Sequence, residues 1–189
     1  MRVTFDLSAN DLKYFRAMMK EARENVRGKS EAIIRRGAEE LLADLKDAEI
    51  SDFVRERLTT LELMLSLLDD HEWKLEGADR SRIVDALAYF AEPEDLIPDR
   101  IPGLGFLDDA IMIELVAEDL KHDLQAYADF CAFRAAEEKV HGKKQDAATR
   151  EEWLDARRTQ LHQRMRRRRR GRFSHRGGTG GPKSALSLW

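Results

Sequence analysis

The sequence predicts an all-α fold. It is read as a small bundle of five to six helices with a Pro/Gly-rich acidic turn before one long helix, plus a disordered basic C-terminal tail. Three observations carry this reading. Apolar residues recur at spacings of three and four along most of the chain, which is the period of a helix face. No stretch sustains the apolar–polar alternation of a β-sheet protein. Three of the four prolines, with the closely spaced Gly103 and Gly105, fall within residues 89–110, between helical patterns that carry almost none of either.

Residues 3–7 alternate Val, Phe and Leu with polar residues, too briefly for a strand. Ser8 sits at an N-cap position, with Asp11 in the first turn. Leu12, Phe15, Met19, Ala22 and Val26 then share one face, and Gly28 ends the helix. Ser30 opens a second helix with the stripe Ile34, Ala38, Leu41 and Leu45. Ser51 caps a third, where Val54, Leu58, Leu61, Leu65 and Leu68 repeat and Leu63, Met64 and Leu67 widen the stripe. A stripe that broad marks a central helix. Gly77 punctuates its end after Trp73. A fourth helix is predicted from about Asp79 to Ala91, with Ile83, Leu87 and Phe90 inward, and Pro93 stops it. The longest helix runs from about Phe106 to Glu138, with Ile113, Val116, Leu120, Leu124, Tyr127 and Cys131 as its seam. A weaker helix follows, from about Ala147 to Met165. This divides the chain into a helical domain, residues 1–163, and an Arg/Gly-rich tail, residues 164–189, too poor in apolar surface to order itself.

At 189 residues, the chain is long enough to build a core without staples. A single cysteine, Cys131, excludes an internal disulfide and a zinc cluster, and makes a reducing compartment the default. The start, Met-Arg-Val-Thr-Phe-Asp-Leu-Ser, lacks the apolar run of a secretory signal. No window approaches the roughly 18 apolar residues of a membrane span. The expected location is therefore cytoplasmic, with peripheral contact at the inner face of a membrane. The net charge of −3 hides an asymmetry. Eight arginines, one lysine and no acid lie from Arg164 onward. The tail is thus +9, and residues 1–163 hold 24 bases against 36 acids.

The proline-rich segment has a specific pattern. Ala88-Tyr89-Phe90, Pro93, Asp95-Leu96-Ile97-Pro98-Asp99, Ile101-Pro102, Leu104-Gly105 and Leu107-Asp108-Asp109 resemble the signature of the YkvA-like family. The resemblance covers roughly residues 80–125, about a quarter of the chain, and leaves out the flanks and the arginine tail. It implies a small protein or domain without an assigned biochemical function, often described as membrane-associated. It supplies no catalytic or binding residues.

The residues themselves say more. Pro93, Pro98 and Pro102 fix backbone angles and remove three amide donors. Leu96, Ile97 and Ile101 can plug the mouth of a helical core. Asp95 and Asp99 are placed to accept backbone amides as local turn caps. Asp108 and Asp109 fall in the first turn of the long helix, where the macrodipole favours each by roughly 0.3–1 kcal/mol. A second reading of the same four carboxylates is a divalent-cation site, because magnesium and calcium take oxygen ligands. Beyond those two ions no cofactor is expected.

Other clusters read as structural. Asp69-Asp70-His71-Glu72 is a solvated helix end. His122, His141, His162 and His175 have no zinc spacing. Cys131, on the apolar seam, reads as a core thiol. No nucleophile-elbow, Walker or dinucleotide fingerprint occurs. In the tail, Arg164, Arg166, Arg167, Arg168, Arg169, Arg170 and Arg172 form the candidate contact set for phosphates or anionic lipid. Docking on the acidic body, or a merely solvated tail, stays open. With only Phe173 interleaved and no base-reading motif, specific nucleic-acid recognition is not expected. The functional reading is a non-enzymatic interaction or scaffold module with a protein partner, peripheral to a membrane through its tail. Two alternatives stay open: a metal-dependent enzyme using Asp95, Asp99, Asp108 and Asp109, and a non-specific nucleic-acid binder using the arginines.

Overall fold

The computed structural model of the chain describes residues 6–46, 48, 50–91, 106–141 and 147–175. Six α-helices follow one another: α1 (Ala9–Asn25), α2 (Glu31–Lys46), α3 (Asp52–Asp69), α4 (Gly77–Ala86), α5 (Leu107–His141) and α6 (Ala147–His175). A 3₁₀ turn, Leu87–Ala91, continues α4. No strand occurs among the described residues. The chain separates into two compact units, Met1–Leu124 and Gln125–Trp189, and α5 contributes to both.

Local chemistry sets the helix starts. The Ser8 hydroxyl accepts from the Asp11 amide at 3.2 Å, and the Asp11 carboxylate accepts from the Ser8 amide at 2.7 Å. This reciprocal pair is a capping box, with Asp in the place usually held by Glu or Gln. The Ser8 hydrogen bonds hold the Asp11 carboxyl below its ordinary value. Ser51 accepts from the Val54 amide at 3.3 Å and starts α3. At the other end of α3, the Asp70 carboxylate accepts from the Glu72 and Trp73 amides at 2.9 and 3.1 Å. The acidic run at 69–72 is thus a helix terminus, with exposed Asp69 paired to Arg35 of α2 at 2.7 Å.

In the first unit α3 buries Val54, Leu61, Met64, Leu65, Leu67 and Leu68, as its broad stripe predicts, and α2 buries Ile34, Ala38 and Leu45. Every residue from Asp108 to Met112, and Ile113 after them, is buried. A helix buried on all sides occupies the centre of its unit. Surrounding helices tether it by charge: Arg16 of α1 reaches Glu118 at 3.3 Å, and Arg57 of α3 reaches Glu114 at 3.2 Å. In the second unit, Phe133 of α5 meets Trp153 of α6 edge to face, with ring centroids 5.4 Å apart. Leu154, Leu161 and Met165 are buried there, as the stripe of α6 requires. Cys131 is only partly buried.

Two boundaries differ from the sequence prediction. The predicted helix over 79–91 changes to 3₁₀ geometry at Leu87. Four consecutive buried residues, Leu87 to Phe90, demand an inward surface that an amphipathic α-helix does not offer, and the tighter turn winds differently. The second difference concerns the tail. Residues 164–175, predicted as disordered, continue α6 to His175. Arginine is a good helix former, and the lone Gly171 costs only about 1 kcal/mol. Residues 176–189 lie outside the described residues.

One glycine decides how the 3₁₀ turn sits. A Cβ on Gly37 of α2 would lie 2.1 Å from the Phe90 carbonyl oxygen and 2.6 Å from the Ala91 Cα. Backbone meets backbone there, and neither can move aside as a side-chain end would. Intrinsic propensity alone predicts that Gly37→Ala stabilises α2 by about 1 kcal/mol. The overlap reverses the sign, with an expected loss of about 1–3 kcal/mol or more. Gly171→Ala in α6, where an added Cβ meets nothing within 4 Å, is expected to be neutral or stabilising. Urea melts of the two variants should move in opposite directions.

Candidate functional site

The described parts of the proline-rich segment are its two shoulders. The leading shoulder is α4 with the 3₁₀ turn, closed by Tyr89 and Phe90, whose rings stand 5.6 Å apart at 85°. The trailing shoulder starts at Phe106, which has φ +65° and is buried. A bulky residue in the left-handed region is uncommon and persists only where its surroundings hold it. Phe106 is held by a small core of Leu45, Val54 and Ala110, with Phe53 and Leu58 beside it. Its carbonyl accepts the Ala110 amide at 3.0 Å and so begins α5. Both shoulders therefore rest on α2, one at Gly37 and the other beyond Leu41.

The acids divide. Asp108 and Asp109 sit in the first turn of α5 as predicted, 1% and 7% exposed, and both have interaction partners. Asp95 and Asp99, with all three prolines of the segment, Gly103 and Gly105, lie outside the described residues. Among the described residues no group of three or more His, Cys, Asp or Glu side chains gathers to hold a metal ion. A further buried acid, Asp123, has its carboxylate 3.7 Å from Arg82. Arg82 also donates to the Asp119 carbonyl at 2.5 Å. Sequence spacing does not reveal this pair, because its members are 41 residues apart.

The arginine set divides as well. Arg164 forms an ion pair with Asp129 of α5, and Gln125 adds a hydrogen bond to the same carboxylate at 2.9 Å. The Arg164 hydrogen bond holds the Asp129 carboxyl below its ordinary value. Arg166, Arg167, Arg168 and Arg170 are exposed and Arg169 is partly buried. At about 100° per residue, the four exposed arginines fall within about 200° of arc, with Arg169 opposite. The Arg172 side chain lies outside the described residues.

Two predictions follow from these contacts. Phe106→Ala removes an aromatic ring from a packed site and is expected to cost about 3–5 kcal/mol in a denaturant melt. The Arg164–Asp129 pair sets a pH dependence. A carboxylate with a lowered folded pKa contributes stability above its unfolded pKa of about 3.9, and that stability is lost as pH falls through the folded value. Arg164→Gln should therefore destabilise the protein at neutral pH, and the difference from wild type should shrink as pH drops below about 4. Urea midpoints of both proteins across pH 7 to 3 check this.

Comparison with known proteins places the shoulders in a family context. Residues 80–115 match the model of a family described as protein of unknown function (DUF1232). A segment of 62 residues is 36% identical to "Uncharacterized membrane protein YkvA" of Bacillus subtilis (strain 168). That match covers 30% of this chain and 58% of the relative's length. No solved structure matches the chain. Among the described residues no helix is long and apolar enough to cross a membrane. The matched stretch begins at Arg80 in α4, takes in the 3₁₀ turn docked on Gly37, and ends at Leu115 in the buried front of α5. Over this segment the chain is YkvA-like.

Proposed function

We propose that this chain is a non-enzymatic interaction module that rests on an anionic membrane surface without spanning it. The observation that carries the reading is the basic end of α6. Four exposed arginines share little more than half of its circumference, the distribution that suits a flat charged surface. Near such a surface each basic residue contributes about 1 kcal/mol. Arg164 is a fixed point of this arrangement, joined to Asp129. It anchors the helix rather than reaching for a lipid. The Bacillus subtilis relative, named as a membrane protein, supports the same reading. The anchored shoulders of the family segment supply a surface of fixed shape for a protein partner. No observation among the described residues favours the metal-dependent alternative, whose Asp95 and Asp99 fall outside them.

The test uses full-length protein and sedimented vesicles. Binding to phosphatidylglycerol vesicles, absent on phosphatidylcholine, should fall steeply as salt approaches about 1 M, where the Debye length is about 3 Å. Replacing Arg167, Arg168 and Arg170 together with Gln should weaken binding by about two orders of magnitude. Equal binding by wild type and variant, or no binding by either, contradicts the proposal. Duplex DNA binding that is tighter than vesicle binding at equal phosphate concentration and ionic strength favours the nucleic-acid alternative instead.

A further inference from the structure

A second basic surface lies in the first unit, remote in sequence from α6. A cleft of about 360 Å³ is bounded by the end of α1, the start of α2 and one face of α4 along its length. Its volume lies within the range of small-ligand sites, about 300–1,000 Å³. Its charged lining is Arg23, Arg27, Lys29, Arg80, Glu31 and Asp85. Glu31 and Arg80 neutralise each other in a two-pronged pair, with bonds of 3.0 and 2.5 Å, and Arg80 also donates to the Leu68 carbonyl at 2.8 Å. That pair is a wall of the cleft. Three cations, Arg23, Arg27 and Lys29, share the rest of the lining with one further carboxylate, Asp85, while Arg23 also reaches Asp119 at 4.0 Å and Lys29 has a partner of its own. Arg23 is positioned by a bond from its Nε to the Asp85 carbonyl at 3.1 Å. Arg27 is exposed, and among the described residues its guanidinium has no hydrogen bond or ion pair.

The backbone leaves room for a ligand. Gly28, between Arg27 and Lys29, has φ +91°, and Gly77 across the cleft has φ +55°. A Cβ at either would meet nothing within 4 Å. The Glu76 side chain makes no capping bond at the start of α4. Gly77 and Ser81 of that ten-residue helix line the same space as the cations. Excess positive charge, open glycine backbone and a pocket-sized volume coincide.

From this coincidence we infer that the α1–α2–α4 cleft binds a phosphate-bearing anion, with Arg27 as its principal contact. The group is either a soluble phosphate compound or the headgroup of a phospholipid, which share this chemistry. The inference is independent of the role proposed for α6, since it uses other residues on other helices.

Isothermal titration of the full chain with inorganic phosphate, against chloride at matched ionic strength, tests it. Phosphate should bind, and Arg27→Gln should weaken it about tenfold. Because Arg27 is exposed, the variant should melt as wild type does. Lys29→Gln provides a second reading of the same site. No phosphate binding above the chloride background, or equal affinity in wild type and both variants, overturns the inference. The triple Gln variant at Arg167, Arg168 and Arg170 should keep its phosphate affinity whatever happens to its vesicle binding. Phosphatidylglycerol vesicles that compete with phosphate on that triple variant identify a lipid headgroup. Phosphate binding without such competition identifies a soluble compound.

Discussion

The contact of α2 with the 3₁₀ turn at Gly37 is the constraint on which the first unit depends. It is a backbone-to-backbone approach with no space for a single methyl group. It fixes the position of Ala91, the last described residue before the proline-rich stretch. Phe106, in left-handed geometry within the α2–α3 core, fixes the first described residue after it. Residues 92–105 lie outside the described residues.

The same geometry explains where charge can sit. The front of α5 is buried, where an unpartnered carboxylate is costly, and Asp108 Oδ1 and Asp123 Oδ2 have no hydrogen bond among the described residues. Asp108 and Asp109 have partners, and Asp123 lies near Arg82. Basic residues gather instead at the rim of the α1–α2–α4 cleft and on the outer arc of α6. A net −3 protein thus gathers basic residues at two places.

Much of this was legible in the residues. The caps at Ser8 and Ser51, the stripes of α1 to α3 and the seam of α5 follow from spacing and from side chains that satisfy helix-end amides. The all-α class and the YkvA-like segment follow from the same residues. What escaped was tertiary. Gly37 looks like a mild flaw inside a helical stripe, because nothing local shows that another backbone will lie against it. The 3₁₀ turn is set by burial on consecutive positions, which a periodicity argument averages away. The arginines of 164–172 read as a disordered tail because composition does not reveal that Asp129, 35 residues earlier, will hold Arg164. The basic cleft joins residues 23–31 to residues 77–85, a separation that no motif spans.

Native-state hydrogen exchange tests the central claim most directly. If the 3₁₀ turn and Phe106 lock the family segment to α2, amides at 88–91 and 107–112 should open with the same free energy as those of α2 around Gly37. Their exchange would then respond together to denaturant. Rapid exchange at 88–91, with α2 still protected, would contradict the account, because the turn would then be opening without disturbing the helix it is said to be locked against.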